Sequence, residues 1–322
     1  MHGIQVESTG GPDVLRWSSL ADPEPQSDQL VVRLTAAGVN FIDVYQRVGL
    51  YPVQLPFVPG REGAGTVTAV GPGVVDFDVG QTVAWMGAPS SYAELVAVPV
   101  HQAVPVPEGI SPEAAAAVML QGLTAHVLAF STYPLSEGQR CLIHAGAGGV
   151  GLLLIQMAKM VGAEVFTTVS TEEKADAARE VGADHVILYE QEDFGEAVEK
   201  LVGPKALDVV YDGVGQPTLR RGLELLRPLG MMVSFGQSGG RVDPIDPLLL
   251  NRLGSLYLTR PSSADYLRTR EELESRWAEL LGWVRSGRLQ VRIGSRYPLS
   301  QAADAHRALE SRATIGKVLL IA

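Results

Sequence analysis

The chain has 322 residues, 46% apolar and 19% charged; that is enough apolar material for a sizeable core and, at roughly 150 residues per domain, predicts about two domains. A net charge of −10 repels phosphate backbones and excludes nucleic acid and anionic membrane surfaces as partners. The single cysteine, Cys141, excludes an internal disulfide and a cysteine-rich metal site.

The first residues, MHGIQVESTGG, lack a basic segment followed by an apolar run, so no signal peptide is expected. The longest apolar runs, such as 150–155, fall far short of the ~20 residues that cross a bilayer. A cytoplasmic protein is expected. From residue 1 to about 120 the chain reads as short β-branched strands, at 30–34, 66–70, 82–85 and 94–98, separated by turn clusters such as Gly71-Pro72-Gly73. This spacing predicts a β-rich, barrel-like domain. Ser111-Pro112-Glu113 reads as a helix start, and the alanines at 114–117 favour the helix that follows.

From Thr124 strands and helices alternate. Strands are expected at 140–145, 164–169, 185–188, 207–211, 231–235 and 255–259, and helices at 150–161, 171–181, 192–201 and 217–226. That alternation predicts a mostly parallel sheet covered on both faces, with ligands at the carboxyl ends of its strands. After Pro261 follow a helix over 266–285, a strand around Val291, a helix over 299–311 and a last strand at 316–321.

The chemistry concentrates in 140–159, RCLIHAGAGGVGLLLIQMAK. Gly146, Gly148 and Gly151 have G-x-G-x-x-G spacing between an apolar strand and an apolar helix, which is the context of a dinucleotide site. Gly146, Ala147, Gly148, Gly149 and Val150 would face the pyrophosphate, at the positive end of the helix. The next strand ends in Ser170-Thr171, where an NAD site carries an acid, and Lys174 follows one turn later. Small hydroxyls and a lysine accept a 2′-phosphate that a carboxylate would repel, so NADPH is the expected cofactor. The segment 212–215, with Val214, is expected near the nicotinamide ribose, and Phe235, Gly236 and Ser238 on the same rim. Asp208 and Asp212 read as ordinary strand-end residues.

Gly138-Gln139, Leu142, Gly146 to Gly149, Gly151, Gln156 and Lys159 together resemble the signature of the zeta-crystallin branch of quinone oxidoreductases, in the medium-chain dehydrogenase/reductase superfamily. The stretches AAGVNFIDVYQRVGLYP (36–52) and VPGREGAG (58–65) resemble the same superfamily, so the likeness covers nearly the whole chain. It implies an α/β protein, a Rossmann doubly wound parallel sheet plus a GroES-like β-rich catalytic domain. The catalytic domain would be discontinuous, 1–122 and 262–322, around an NADPH-binding domain at 123–261. The resemblance adds Phe41, Ile42, Thr124 and Val127 as cofactor contacts and Tyr189 and Arg312 at the 2′-phosphate. It sets Asn40, Asp43, Tyr45 and Tyr51 around the nicotinamide and substrate.

Zinc-dependent relatives carry a Cys and a His where this chain has Val39 and Arg61, and its six histidines show no ligand spacing, so no metal is expected. Without a Lewis acid the site suits an acceptor that is already electrophilic. Tyr51 is the first candidate to donate to the acceptor's oxygen. Tyr45 reads nearly as well as a packing residue, Asn40 as a helix N-cap, and Arg260 as a substrate-pocket residue. The leading reading is hydride transfer from NADPH to a quinone. An enone or 2-enoyl-thioester reductase is the alternative, and a non-catalytic NADPH-binding sensor or structural protein is the reading from another class. An apolar edge strand at 254–259 predicts a homodimer.

Overall fold

The computed structural model describes residues 1–322. Two compact units divide it: Met1–Gln121 with Thr269–Ala322, and Gly122–Arg268. In chain order the first part of unit one holds strands β1 (His2–Gln5), β2 (Arg16–Ser19) and β3 (Gln29–Val39), helix α1 (Phe41–Arg47), and strands β4 (Glu62–Val70), β5 (Thr82–Met86), β6 (Leu95–Pro99) and β7 (Ala103–Pro105). Helix α2 (Pro112–Val127) carries the chain into unit two and ends in a π-helical turn, Leu128–Thr132.

Unit two alternates β8 (Arg140–His144), α3 (Gly149–Met160), β9 (Glu164–Val169), α4 (Glu172–Glu180), β10 (His185–Leu188), α5 (Phe194–Val202), β11 (Leu207–Asp212), α6 (Leu219–Leu225), β12 (Leu226–Ser234), α7 (Pro247–Gly254), β13 (Tyr257–Thr259) and α8 (Ser263–Tyr266). The chain then returns to unit one through α9 (Arg270–Arg285), β14 (Ile293–Pro298), α10 (Ala302–Glu310) and β15 (Lys317–Ile321).

The sheet of unit two is parallel throughout and runs β10-β9-β8-β11-β12-β13. Numbered by appearance that is the Rossmann order 3-2-1-4-5-6, which reverses between β8 and β11 and opens a crevice at their carboxyl ends. Leu142, Phe166, Val210, Leu223 and Met232 fill its core. In unit one β3 is central: β15 and β4 flank it antiparallel, and β6 pairs with its first half. Trp85, Tyr92, Leu30 and Leu320 lie in the core of that unit, each large apolar side chain contributing about 1.5–3 kcal/mol by leaving water.

Several boundaries differ from expectation. β4 begins at Glu62, not residue 66, because Gly63 is strand rather than turn: a Cβ there would lie 2.6 Å from the Trp85 ring. α7 was not anticipated, although Asp246 caps it, Pro247 opens it and Gly254 ends it. It absorbs the start of the expected edge strand, which begins only at Tyr257, after Ser255 turns through a left-handed φ of 55°. The helix expected at 266–285 starts at Arg270, where Thr269 and Glu272 form a reciprocal capping box, each side chain accepting the other's N–H at 3.2 Å. The strand expected around Val291 lies at Ile293–Pro298. The helix expected at 217–226 stops at Leu225, and the chain passes directly into β12.

Candidate active site

The glycine loop joins β8 to α3. A Cβ on Gly146 would run into the Thr167 side chain, whose hydroxyl is held by Ile143 O at 2.6 Å, and one on Gly151 would strike Ala145 O. The first and third glycines are therefore demanded by packing between β8, β9 and α3. Gly148 differs, since a Cβ there would meet only Ala145 O, at 3.2 Å. It is the N-cap of α3, in extended conformation and without a side chain to cap the first N–H groups. Those groups, at Gly149 and Val150, are left for an anion. Ala147 is buried beneath them and Val150 is half-buried. These residues fit a dinucleotide pyrophosphate.

At the end of β9, Lys174 Nζ donates to Ser170 Oγ at 3.1 Å. The Thr171 hydroxyl caps α4, accepting Lys174 N at 3.4 Å, so Thr171 is committed to the helix. Tyr189 N bonds Val169 O at 3.1 Å, which sets Tyr189 beside the same strand end. The residue that directly follows β9 is Ser170, not a carboxylate. Thr124 and Val127 lie on the last turn of α2, Val127 buried and Thr124 half-buried.

On the other side of the crevice Asp212 is more than a strand-end residue. It is fully buried; Oδ1 accepts Val214 N at 2.7 Å and Gly215 N at 3.0 Å, and Oδ2 accepts the Thr218 hydroxyl at 2.9 Å. It shapes the 213–215 loop. Ser238 Oγ donates to Gly213 O at 3.2 Å, and Gly236 packs so close to Gly213 that a Cβ would lie 2.5 Å from its oxygen. The two loops, with Val214 and Phe235, thus form one rim. Arg260, expected to line the substrate pocket, lays its guanidinium on this rim's backbone: Nη1 donates to Ser234 O at 3.0 Å and Gly236 O at 2.6 Å.

The polar residues of unit one are arranged around α1. Asn40 sits at its N-cap, in a capping box with Asp43, and its side chain is also bound into the interior. Oδ1 accepts Lys317 Nζ at 3.0 Å and Gln121 Nε2 at 3.1 Å, and Nδ2 donates to Glu62 Oε1 at 2.6 Å. Asp43 makes its half of the box with Oδ2, accepting Asn40 N at 2.9 Å. Asp43 is completely buried and also accepts the Tyr92 hydroxyl at 3.0 Å; burial pushes its carboxyl up to about 7. Both residues are buried, and Asp43 Oδ1 has no hydrogen-bond partner. Phe41 and Ile42 follow on the first turn of α1, half-buried. Tyr45 is buried, its ring edge-on to Tyr51 at 5.2 Å, and its carbonyl accepts Tyr51 N at 3.1 Å. Tyr51 is half-buried. Arg312 lies in the turn after α10, with a left-handed φ of 58°, in unit one.

Sequence reasoning missed Glu62, Lys317, Arg47, Tyr92 and His306, all buried around α1. Glu62 and Lys317 had a legible signal: each is the one charge in a small or apolar strand, EGAGTVTAV and KVLLI.

No group of three or more His, Cys, Asp or Glu side chains is placed to hold a metal ion. Val39 is buried and Arg61 Nη2 donates to Gly87 O at 2.8 Å, so the positions that carry zinc ligands in the zinc-dependent relatives do not fit zinc here.

Residues 26–108 match the alcohol dehydrogenase GroES-like domain family and residues 149–281 the zinc-binding dehydrogenase family. A quinone oxidoreductase of Pseudomonas aeruginosa is 42% identical over 320 residues, covering 99% of this chain and 98% of that protein. The chain belongs to the quinone oxidoreductase family of medium-chain dehydrogenases/reductases. Escherichia coli quinone oxidoreductase, solved in complex with NADPH, superposes with a TM-score of 0.98 at 41% identity, each chain covered over 100% of its length. A 2-haloacrylate reductase of a Burkholderia species is 39% identical, covering 98% of this chain and 97% of that protein. Membership explains the zinc-binding description of the second match: the family shares that fold, while this chain lacks the ligands.

Proposed function

We propose that this chain is an NADPH-dependent quinone oxidoreductase that works without a metal. One observation carries the reading: the end-to-end similarity, in sequence and fold, to quinone oxidoreductases, one of them an NADPH complex. The unit Gly122–Arg268 is the NADPH-binding domain and the remainder the catalytic domain.

Bound NADPH would supply the hydride. The residues of the chain do the rest. The amides at the start of α3 hold the pyrophosphate, Ser170 and Lys174 take the 2′-phosphate with Tyr189 beside them, and the rim of Val214, Phe235, Gly236 and Ser238 confines the nicotinamide ribose. Arg312 adds charge at the phosphate end. Phe41, Ile42, Thr124 and Val127 border the cofactor. Tyr51 donates its phenolic hydrogen to the acceptor oxygen as negative charge develops there. Tyr45 supports the Tyr51 ring. Arg260 acts on the substrate side by holding the Ser234–Gly236 backbone.

The test is loss of the NADPH absorbance with benzoquinone and phenanthrenequinone, repeated with NADH and with chelator. Turnover with NADPH that chelator leaves unchanged is expected; no turnover of any quinone, with NADPH still bound, would overturn the reading. A second reading, reduction of an activated C=C bond, is favoured by the similarity to 2-haloacrylate reductase. Turnover of 2-chloroacrylate or a crotonyl thioester with no quinone turnover would select it.

The chain works in the cytoplasm as a homodimer. One helical stretch, Pro112–Thr132, is long and apolar enough to cross a membrane, but 72% of its apolar window is buried in the structure. β13 is the edge of its sheet and exposes Tyr257 and Leu258. Light scattering at micromolar concentration should give twice the chain mass, and Leu258→Lys should shift it toward the monomer.

A further inference from the structure

We propose that the buried ion pair of Glu62 and Lys317 is a positioning device, which fixes the Asn40 amide and through it the first turn of α1 for catalysis. The inference rests on the quinone reductase reading for its kinetic test only.

Four elements meet at this pair: the end of β3 at Asn40, β4 at Glu62, β15 at Lys317 and α2 at Leu120 and Gln121. Lys317 Nζ donates to Glu62 Oε1 and, at 3.0 Å, to Asn40 Oδ1. The second carboxylate oxygen of Glu62 accepts Leu120 N at 2.7 Å. The two charged side chains are 0% and 1% exposed. Gly38 makes the room, since any side chain there would occupy the space of both the carboxylate and the ammonium.

Stability does not account for such a pair. Removing both charges from water is costly, and apolar residues of the same volume usually do as well or better. What the pair supplies is direction. Glu62 gives the Asn40 amide an acceptor on one side, and Lys317 with Gln121 gives it donors on the other. A flipped amide would turn its N–H groups toward the ammonium and its oxygen toward the carboxylate, so only one orientation is allowed. The backbone N–H of Asn40 is held as well, by Asp43 at 2.9 Å. Asn40 opens α1, whose seven residues are too few to hold a helix unaided. On that helix Tyr45 carries Tyr51 edge-on. Fixing Asn40 therefore fixes where the proposed proton donor stands.

The experiment compares the full-length protein with E62Q/K317Q, which keeps one uncharged donor for Asn40 and a single acceptor for the Asn40 amide and Leu120 N to compete for, and with E62L/K317M, which fills the space and keeps neither. Tm, kcat/KM with NADPH and phenanthrenequinone, and solvent exchange of the Asn40 side-chain amide by NMR are read for each. E62L/K317M is expected to lose some Tm, because Leu120 N and the Asn40 amide lose their Glu62 acceptor, to lose about tenfold to a hundredfold in kcat/KM measured well below that Tm, and to expose the Asn40 amide to exchange. E62Q/K317Q is expected to fall between the wild type and E62L/K317M in both activity and protection, because its single amide oxygen cannot serve both the Asn40 amide and Leu120 N. Turnover of E62L/K317M at the wild-type rate, or activity that merely follows Tm, overturns the proposal. E62Q/K317L keeps the acceptor and removes only the Lys317 donor, which decides the question if E62L/K317M does not fold; turnover equal to E62Q/K317Q overturns it. Should the wild type reduce no quinone, the function falls and amide exchange alone still tests the positioning.

Discussion

Asp43 and His306 share one hydroxyl, that of Tyr92, which lies 3.0 Å from Asp43 Oδ2 and 3.3 Å from His306 Nε2. Arg47 Nη1 stands 3.1 Å from His306 Nδ1, and a guanidinium only donates, so Nδ1 accepts and Nε2 carries the hydrogen. The chain of donors then runs from Arg47 and His306 through Tyr92 to Asp43. Arg47 is itself anchored by both oxygens of Glu310, at 2.9 and 2.7 Å.

This chain makes the pH dependence of stability specific. Burial pushes Asp43 up from 3.8 to about 7, and burial together with the Arg47 charge pushes His306 down from 6.5 to about 3. Between 3.8 and about 7 the native state holds a proton on Asp43 that the unfolded chain has released, so this group's stabilisation is lost as pH rises. Between about 3 and 6.5 the unfolded chain holds a proton on His306 that the native state lacks, so this group's stabilisation is lost as pH falls. Where the windows overlap the two slopes oppose. Asp43→Asn should uncover the His306 slope: the variant's unfolding free energy should rise with pH, relative to wild type, by up to about 1.4 kcal/mol per pH unit. Urea unfolding from pH 4 to 6.5 measures it, and parallel profiles would refute it.

The three glycines of the nucleotide loop should not behave alike. Gly146→Ala and Gly151→Ala each drive a methyl into side chain or backbone and should cost about 1–3 kcal/mol of stability. Gly148→Ala meets only Ala145 O, at a tight 3.2 Å, and should lose less Tm than the other two, its main effect falling on NADPH affinity. Thermal unfolding and NADPH titration of the three variants separate these outcomes.

Lys174 and Ser170 should set the preference between cofactors. Lys174→Ala removes a charge-assisted bond of about 1.5–3 kcal/mol, so KM for NADPH should rise by roughly tenfold or more while KM for NADH stays level. Ser170→Asp should go further and favour NADH. Steady-state kinetics with both cofactors decide it; equal losses with NADH would remove Lys174 from the 2′-phosphate.

Tyr51→Phe keeps the ring contact with Tyr45 and removes only the hydroxyl. If that hydroxyl donates to the acceptor, kcat should fall by roughly a hundredfold with NADPH binding unchanged. Tyr45→Phe, at a buried packing position, should change kcat little.

Helix signals carried α3, α4 and α5 well because each helix pairs a local start signal with an apolar face. Asp246-Pro247 and Thr269-x-x-Glu272 were equally local signals, and attention to caps alone would have located α7 and the start of α9. Glu62 and Lys317 stood out as charges inside strands, but their partner was not local: 255 residues separate them.

By itself the sequence determined the parallel nucleotide sheet and the glycine loop, set by spacing within short segments, and its resemblance to a known family marked where zinc ligands are missing. Only the tertiary structure decided which polar residues are free for chemistry. Asn40 and Asp43 look exposed in NFID, and the fold buries both, because β4, β15, α2 and α10 bring donors and acceptors around them that no short stretch of sequence contains. A buried polar group must be satisfied where it lies, and where it lies is a property of the whole chain.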